Sequence, residues 1–309
     1  MKCGFLFANT FLLCLMLGLM LLCPSSVKAQ TDSTFVSMYW AVPTLYNPAT
    51  AGADSALHVT AWGRKQWVGM DVAPQSVNIS VDMPFMIGKM RSGLGISAKN
   101  DKAGGYKANI FTLHYSYSAR LMGGRLALGV NVGKIEQTIK TTSEYSSQNV
   151  DLGIGAYYEK TFGKKHAYVG VSATHLNQPS LKNDTCINIQ QKRTIYFLVG
   201  GNIPTRNPLF IIQPSLLFRN SGTATSVDCT IRATYNRRFW GGVSYRYDDA
   251  VTVMAGANIK SVRIGYAYDI GISSWSKSSK GSHELMATYV MDINLDKKKR
   301  APQKSIRLL

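Results

Sequence analysis

Five histidines, His58, His114, His166, His175 and His283, are the side chains of this chain best suited to proton transfer, and they are scattered along its length. His114 has Ser116 two residues on, which puts both on one face of an extended strand. That spacing separates them by about 7 Å, too far for direct proton transfer. No nucleophile elbow, glycine-rich phosphate loop or His-Glu zinc helix occurs anywhere in the sequence. Asn100-Asp101-Lys102-Ala103-Gly104-Gly105 supplies too few carboxylates for a calcium loop and reads as a tight turn opening an outward connection. The cysteine spacing is not of a metal-binding type. The chain therefore reads as non-enzymatic, with no metal and no cofactor.

The elements that carry these residues begin with an export signal. Lys2 supplies a positive start, residues 5–22 form an apolar run, and Val27 and Ala29 occupy the −3 and −1 positions of a cleavage site. Cleavage there removes residues 1–29 of 309 and leaves 280. It also removes Cys3, Cys14 and Cys23, leaving Cys186 and Cys229 as a candidate disulfide in a compartment that permits one. The 35 Lys+Arg against 17 Asp+Glu give +18, or +16 without Lys2 and Lys28. A charge of this sign suggests nucleic acid at first, but an exported chain does not meet it, and no nucleic-acid partner is expected.

Downstream of the signal no apolar run approaches the roughly 18 residues of a membrane-spanning helix. What recurs is alternation with period two. Phe111, Leu113, Tyr115 and Tyr117 alternate with Thr112, His114, Ser116 and Ser118, and Leu126, Leu128, Val130 and Val132 with Ala127, Gly129 and Asn131. Such strands have one apolar face and one that tolerates water. The pattern predicts fourteen strands, beginning near residues 57, 75, 92, 108, 125, 151, 166, 194, 210, 226, 238, 250, 261 and 282. A soluble sandwich, adhesive in function, and a membrane barrel both bury one face of many strands. Connection lengths favour the barrel. Long connections at 140–150, 177–192 and 273–282 fall on one side, and tight ones such as 122–124, 163–165, 236–237 and 260–261 on the other, with 85–91 a longish exception. Short periplasmic turns and longer external loops are the outer-membrane pattern. The fold class is thus an all-β transmembrane antiparallel barrel over residues 57–295, with both termini on the periplasmic side.

Residues 30–56, crowded with Tyr39, Trp40, Tyr46, Pro43 and Pro48, are expected to pack at or in the lumen. Asn47-Pro48 is a turn former, because proline fixes φ and the Asn side chain can bond its own backbone. Gly52 permits positive φ or close approach. Arg64 reads as a lumen charge and Trp67 as an interfacial ring on the first strand. Lumen cations could select anions, and rim cations could meet lipopolysaccharide phosphates. Residues 296–309 form a basic periplasmic tail, with Lys297, Lys298, Lys299 and Arg300 suited to an acidic periplasmic component.

Three motifs carry a resemblance. Phe35-Val36-Ser37-Met38-Tyr39-Trp40 leads to Tyr46-Asn47-Pro48-Ala49-Thr50-Ala51-Gly52; Arg64-Lys65-Gln66-Trp67-Val68-Gly69 follows, and then Gly93-Leu94-Gly95-Ile96-Ser97 with Asn100-Asp101-Lys102-Ala103-Gly104. Together they resemble the PorP/SprF family of outer-membrane proteins of the Bacteroidota type IX secretion system. Val36, Thr50, Lys65 and the basic tail depart from the family pattern. The resemblance implies a component that helps assemble the machinery, or secretes and retains cargo such as the adhesins used in gliding. Its implied partners are periplasmic ring and lipoprotein components and cargo C-terminal domains, besides outer-membrane lipid. Tyr39, Asn47, Pro48, Ala49, Gly52, Arg64, Gln66, Trp67, Gly69, Asn100 and Asp101 are then the motif positions that could serve partner binding or structure. The alternative is a transport channel for small hydrophobic or anionic solutes.

Overall fold

The computed structural model describes residues 35–293, apart from 89, 141–142, 183–187, 223, 274–275 and 277–278. The signal, Cys186 and the basic tail lie outside the described residues.

Sixteen strands follow one another: β1 Ala56–Lys65, β2 Gln75–Ile87, β3 Met90–Ala103, β4 Tyr106–Leu121, β5 Gly124–Lys140, β6 Glu144–Phe162, β7 Lys165–Thr174, β8 Ser180–Lys182, β9 Asn188–Gln190, β10 Thr194–Pro204, β11 Phe210–Asn220, β12 Thr225–Tyr235, β13 Phe239–Arg246, β14 Ala250–Ile259, β15 Val262–Gly271 and β16 Ser282–Asp292. Fourteen form one closed antiparallel barrel in sequence order, β7 being followed by β10. β1 closes it against β16, with Arg64 opposite Glu284 and Thr60 opposite Thr288. β8 and β9 form a separate small hairpin. Closure leaves no free edge, as lipid requires.

Burial shows which face is inside. On β2, Ile79 is 54% exposed and its neighbour Ser80 only 5%. Val77, Phe111, Leu113, Leu128, Val130, Val253 and Leu285 are likewise exposed, while Ser76, Asn78, His114, Asn131 and Thr252 are buried. A closed wall can shelter only its inner face, so the apolar face is the outer one. Exposed aromatic residues mark both rims, Tyr117, Phe162, Tyr235 and Tyr289 near one and Tyr245 and Tyr247 near the other, where amphipathic rings suit a lipid boundary.

The expected strand starts hold to within two residues everywhere but β6, which begins at Glu144 rather than 151. The expected loop at 140–150 is instead a continuation of the β5–β6 ladder, from Lys134↔Val150 to Lys140↔Glu144. Its outer face has turned polar: Leu126, Leu128, Val130 and Val132 give way to Lys134 and Glu136, ion-paired at 2.8 Å. The ladder therefore runs on past the apolar band into water, where alternation no longer carries an apolar signal. The expected 85–91 connection is likewise strand, with Ile87 opposite Met90. Asn100 to Ala103 end β3 rather than opening a loop, and Gly104 (φ +57°) makes the turn. Trp67 lies beyond β1, at φ +50°, and not on that strand as expected.

Most of the tight turns collect at one rim, those at 104–105 and 247–249 being at the other. Met122-Gly123 and Asn236-Arg237 have positive φ at both residues, the geometry that matches strand twist in two-residue hairpins. The longer connections, 66–74, 175–193 and 272–281, collect at the opposite rim. There too lie the first described residues, Phe35 to Met38, against Arg246 and Glu284, whereas the end of β16 meets Ser55 at the short-turn rim through Ile293 N–H to its carbonyl. The described chain thus starts at one rim and ends at the other, because residues 35–55 run the height of the wall before β1 begins; the two termini, expected on one side, lie outside the described residues.

Arginine at Val130, in the middle of the outer apolar band, is expected to lower folding stability in lipid by about 2–4 kcal/mol, and arginine at Thr138, beyond the band, by about 0–1 kcal/mol. Equilibrium urea unfolding in phospholipid vesicles checks this; equal penalties would mean that the band does not end where β5 turns polar.

Candidate functional site

The residues between Phe35 and the start of β1 have little regular structure of their own. Three 3-10 turns, Tyr39–Ala41, Pro43–Leu45 and Pro48–Thr50, carry them along the polar face of the wall. Such short turns leave many backbone groups unpaired, so the wall must supply partners.

At the long-connection rim the partners are charges. Arg64 donates to Asp269 Oδ2 at 2.6 Å and to Glu284 Oε2 at 3.1 Å. Arg246 donates to Asp228 Oδ1 at 2.8 Å and to Asp249 Oδ2 at 3.1 Å. The N-terminal segment enters this network directly. The backbone N–H groups of Ser37 and Met38 donate to the two oxygens of Glu284 at 2.8 and 2.7 Å, and Ser37 Oγ donates to Asp269 at 2.8 Å. Phe35 lies under two guanidinium groups, 4.2 Å from Arg219 and 4.6 Å from Arg246, a cation–π arrangement favoured where water is excluded. The two arginines and the carboxylates of Asp269 and Glu284 are almost fully buried, so each charge depends on the others.

Further along, the partner is a groove of small residues. Gly93, Ser116, Gly129, Gly155 and Ser172 stand directly opposite one another across β3, β4, β5, β6 and β7, forming one straight row. Residues 46–52 lie along it. Ser172 Oγ donates to the Tyr46 carbonyl at 2.8 Å, and Ser116 Oγ to the Ala51 carbonyl at 2.7 Å. A side chain at Gly155 would overlap Asn47 Oδ1, one at Gly129 would overlap Ala49, and one at Gly93 would overlap the Ala51 carbonyl. The turn expected at Asn47 is present: its Oδ1 accepts from Ala49 N–H at 2.9 Å, while its Nδ2 reaches the Ala156 carbonyl at 3.0 Å. Gly52 uses both of its freedoms. Its φ is +61°, and a Cβ would sit 2.8 Å from Gly93 Cα and the Met83 carbonyl.

Aromatic contacts fill the space between. Tyr39 shares a 2.8 Å hydrogen bond with Ser215 Oγ, and burial pushes its pKa up, so it remains a neutral phenol. Trp40 meets Trp240 edge to face, and Tyr46 meets Tyr196. At the short-turn rim Gly52 N–H donates to Asp82, and Arg91 reaches the carbonyls of Gly52 and Ala53. Burial raises the carboxyl of Asp54, but the hydrogen bond and charge of His58 outweigh it and hold the group below its ordinary range.

Of the motif residues, Tyr39, Asn47, Pro48, Ala49, Gly52 and Arg64 thus belong to one continuous contact. Gln66 and Trp67 sit at the adjoining rim, where Gln66 N–H bonds the Pro74 carbonyl and Trp67 N–H bonds Ser282 Oγ at 3.1 Å. Gly69 (φ +94°) approaches Lys280. Asn100 and Asp101 are not part of it; Asn100 pairs with Asn109 at 2.6 Å and Asp101 with Lys99. His114 bonds Ser97 and not Ser116. Cys229 is a free thiol among the described residues. Sequence reasoning missed Asp228, Arg246, Asp269 and Glu284, and missed the row of glycines. Strand parity could have found the acids, since each occupies a position of the polar face.

A family model described as the type IX secretion system membrane protein PorP/SprF matches residues 27–289 of this chain. No curated protein matches it. Among solved structures, the Ralstonia pickettii toluene transporter TbuX superposes with a TM-score of 0.51 at 12% identity, over 82% of this chain and 94% of that one. The Pseudomonas putida toluene transporter TodX gives 0.49 at 10% identity over 87% and 95%. The translocator domain of the autotransporter NalP from Neisseria meningitidis gives 0.45 at 11% over 84% and 100%. At these identities the likeness to TbuX speaks for the barrel fold alone.

Arg64→Met leaves Asp269 and Glu284 short of a cation, and a loss of about 3–5 kcal/mol is expected. Gly129→Leu is expected to cost about 1–3 kcal/mol by overpacking against Ala49 and to open residues 35–55 to protease. Gly63→Leu, on the outer face, should do neither. Denaturant titration and limited proteolysis of the refolded chain check these; a Gly129 variant as protease-resistant as the parent would mean that the groove does not hold the segment.

Proposed function

Because this chain belongs to the PorP/SprF family of type IX secretion system membrane proteins, we propose that it is a non-enzymatic outer-membrane component that assists assembly of the machinery, or the secretion and surface retention of cargo such as adhesins. The match over residues 27–289 carries this reading. The barrel supplies a rigid, lipid-anchored frame. Residues 35–55 act in it as a plug, held at one rim by Glu284 and Asp269 and along the middle by the small-residue row. A channel for small solutes would need a path past that segment, and the density of its bonds to the wall speaks against one opening readily.

In the proposed orientation the short-turn rim faces the periplasm, with the end of β16, and meets the ring and lipoprotein components. The long connections and the polar β5–β6 projection face outward, toward cargo C-terminal domains and lipopolysaccharide. The motif Asn47 to Gly52 is then part of the plug itself, since its polar groups are spent on the wall.

Affinity capture from detergent-solubilised outer membranes is expected to co-purify type IX components or a cargo C-terminal domain, and recovery of neither, relative to an unrelated barrel, would sink the reading. Ser146→Cys should react with an impermeant thiol reagent on intact cells and Gly123→Cys should not; the reverse pattern inverts the orientation.

A further inference from the structure

Residues 35–55 do not fill the barrel at the short-turn rim. A cavity of about 740 Å³ remains there, bounded by Trp40 and Pro43 of the segment and by Tyr157, Tyr168, Leu198 and Arg232 of the wall. Its volume is that of a small-molecule site, and its lining is mixed: the rings and Leu198 form an apolar part beside a larger number of polar and charged groups.

The charges around it do not balance. Asp54 and Asp82 share His58, at 3.2 and 3.7 Å. Glu159 is taken by Arg125 at 2.8 Å and by His166 at 3.4 Å. That uses the three lining carboxylates. Arg91 is held by backbone carbonyls. Arg232 has its guanidinium carbon 3.5 Å from the centre of the Trp40 ring, which fixes its plane. Its buried Nε has no hydrogen-bond partner, and no carboxylate among the described residues bridges it. A sheltered guanidinium without an anion is costly, and its planar fork matches a carboxylate.

We propose that this cavity is a carboxylate-binding site, in which Arg232 takes the anion and the rings of Trp40, Tyr157 and Tyr168 take an apolar chain attached to it. The ligand class is a carboxylate on an apolar tail, supplied either by the free C-terminus of a peptide or by a fatty acid.

The test uses the full mature chain in a neutral maltoside detergent, titrated calorimetrically with three probes: an N-acetylated pentapeptide ending in leucine, the same peptide as its C-terminal amide, and decanoate. The acid peptide or decanoate is expected to bind, with the amide at least tenfold weaker. Binding by the peptide alone identifies a chain end as the source, and binding by decanoate alone identifies a fatty acid. Arg232→Met should abolish binding and Arg232→Lys weaken it, with folding verified by heat-modifiable migration. If a variant fails to fold, the acid-against-amide comparison on the parent chain decides. No binding of either acid, equal binding of acid and amide, or binding that survives in folded Arg232→Met would overturn the proposal.

Discussion

A fourteen-strand wall must be apolar outside, polar inside and closed, and at that strand number its interior is too wide for its own side chains to fill. Everything distinctive about this protein answers that constraint. The buried inner face carries Arg64, Arg246, Asp228, Asp269 and Glu284, groups that cannot remain unpaired away from water. Residues 35–55 bring two backbone donors to Glu284 and the Ser37 hydroxyl to Asp269, and in return have their own unpaired groups satisfied. Wall and segment each supply what the other lacks.

Two kinds of contact divide the work. At the long-connection rim the bond is electrostatic and directional: two N–H groups on one carboxylate, with an arginine holding that carboxylate in place. In the middle it is steric. Gly93, Ser116, Gly129, Gly155 and Ser172 align because the registers of four successive strand pairs bring them level, which lowers one strip of the wall by the height of a side chain. Ala49 and Ala51 fit against that strip as small residues. The Asn47 side chain closes its own turn and bonds the wall beside it.

Much of the wall was legible in the sequence, because alternation with period two is imposed locally by lipid on one side. Leu126 to Val132 show it without ambiguity. Where the constraint ends, legibility ends. Residues 144–149 pair as strand with no lipid against them, so Tyr145, Ser147 and Asn149 alternate with Glu144, Ser146 and Gln148, none of them apolar, and the ladder reads as a loop. The stretch 85–91 failed for the opposite reason: Phe85, Met86, Ile87 and Met90 are apolar without alternation and masked a tight hairpin. Trp67 is an aromatic residue next to a strand, but its left-handed backbone and bond to Ser282 follow from a distant connection.

The sequence by itself determined the fold class, the strand count, the turn at Asn47-Pro48 and the need for freedom at Gly52, since each depends on residues within a few positions of one another. Only the tertiary structure decided that Glu284, 246 residues away, receives the Met38 amide, that Arg64 is shared between Asp269 and Glu284, and that glycines from three strands form one groove. Those meetings depend on barrel closure and on strand register. Register is a property of pairs of strands, so no single stretch of the chain can encode it.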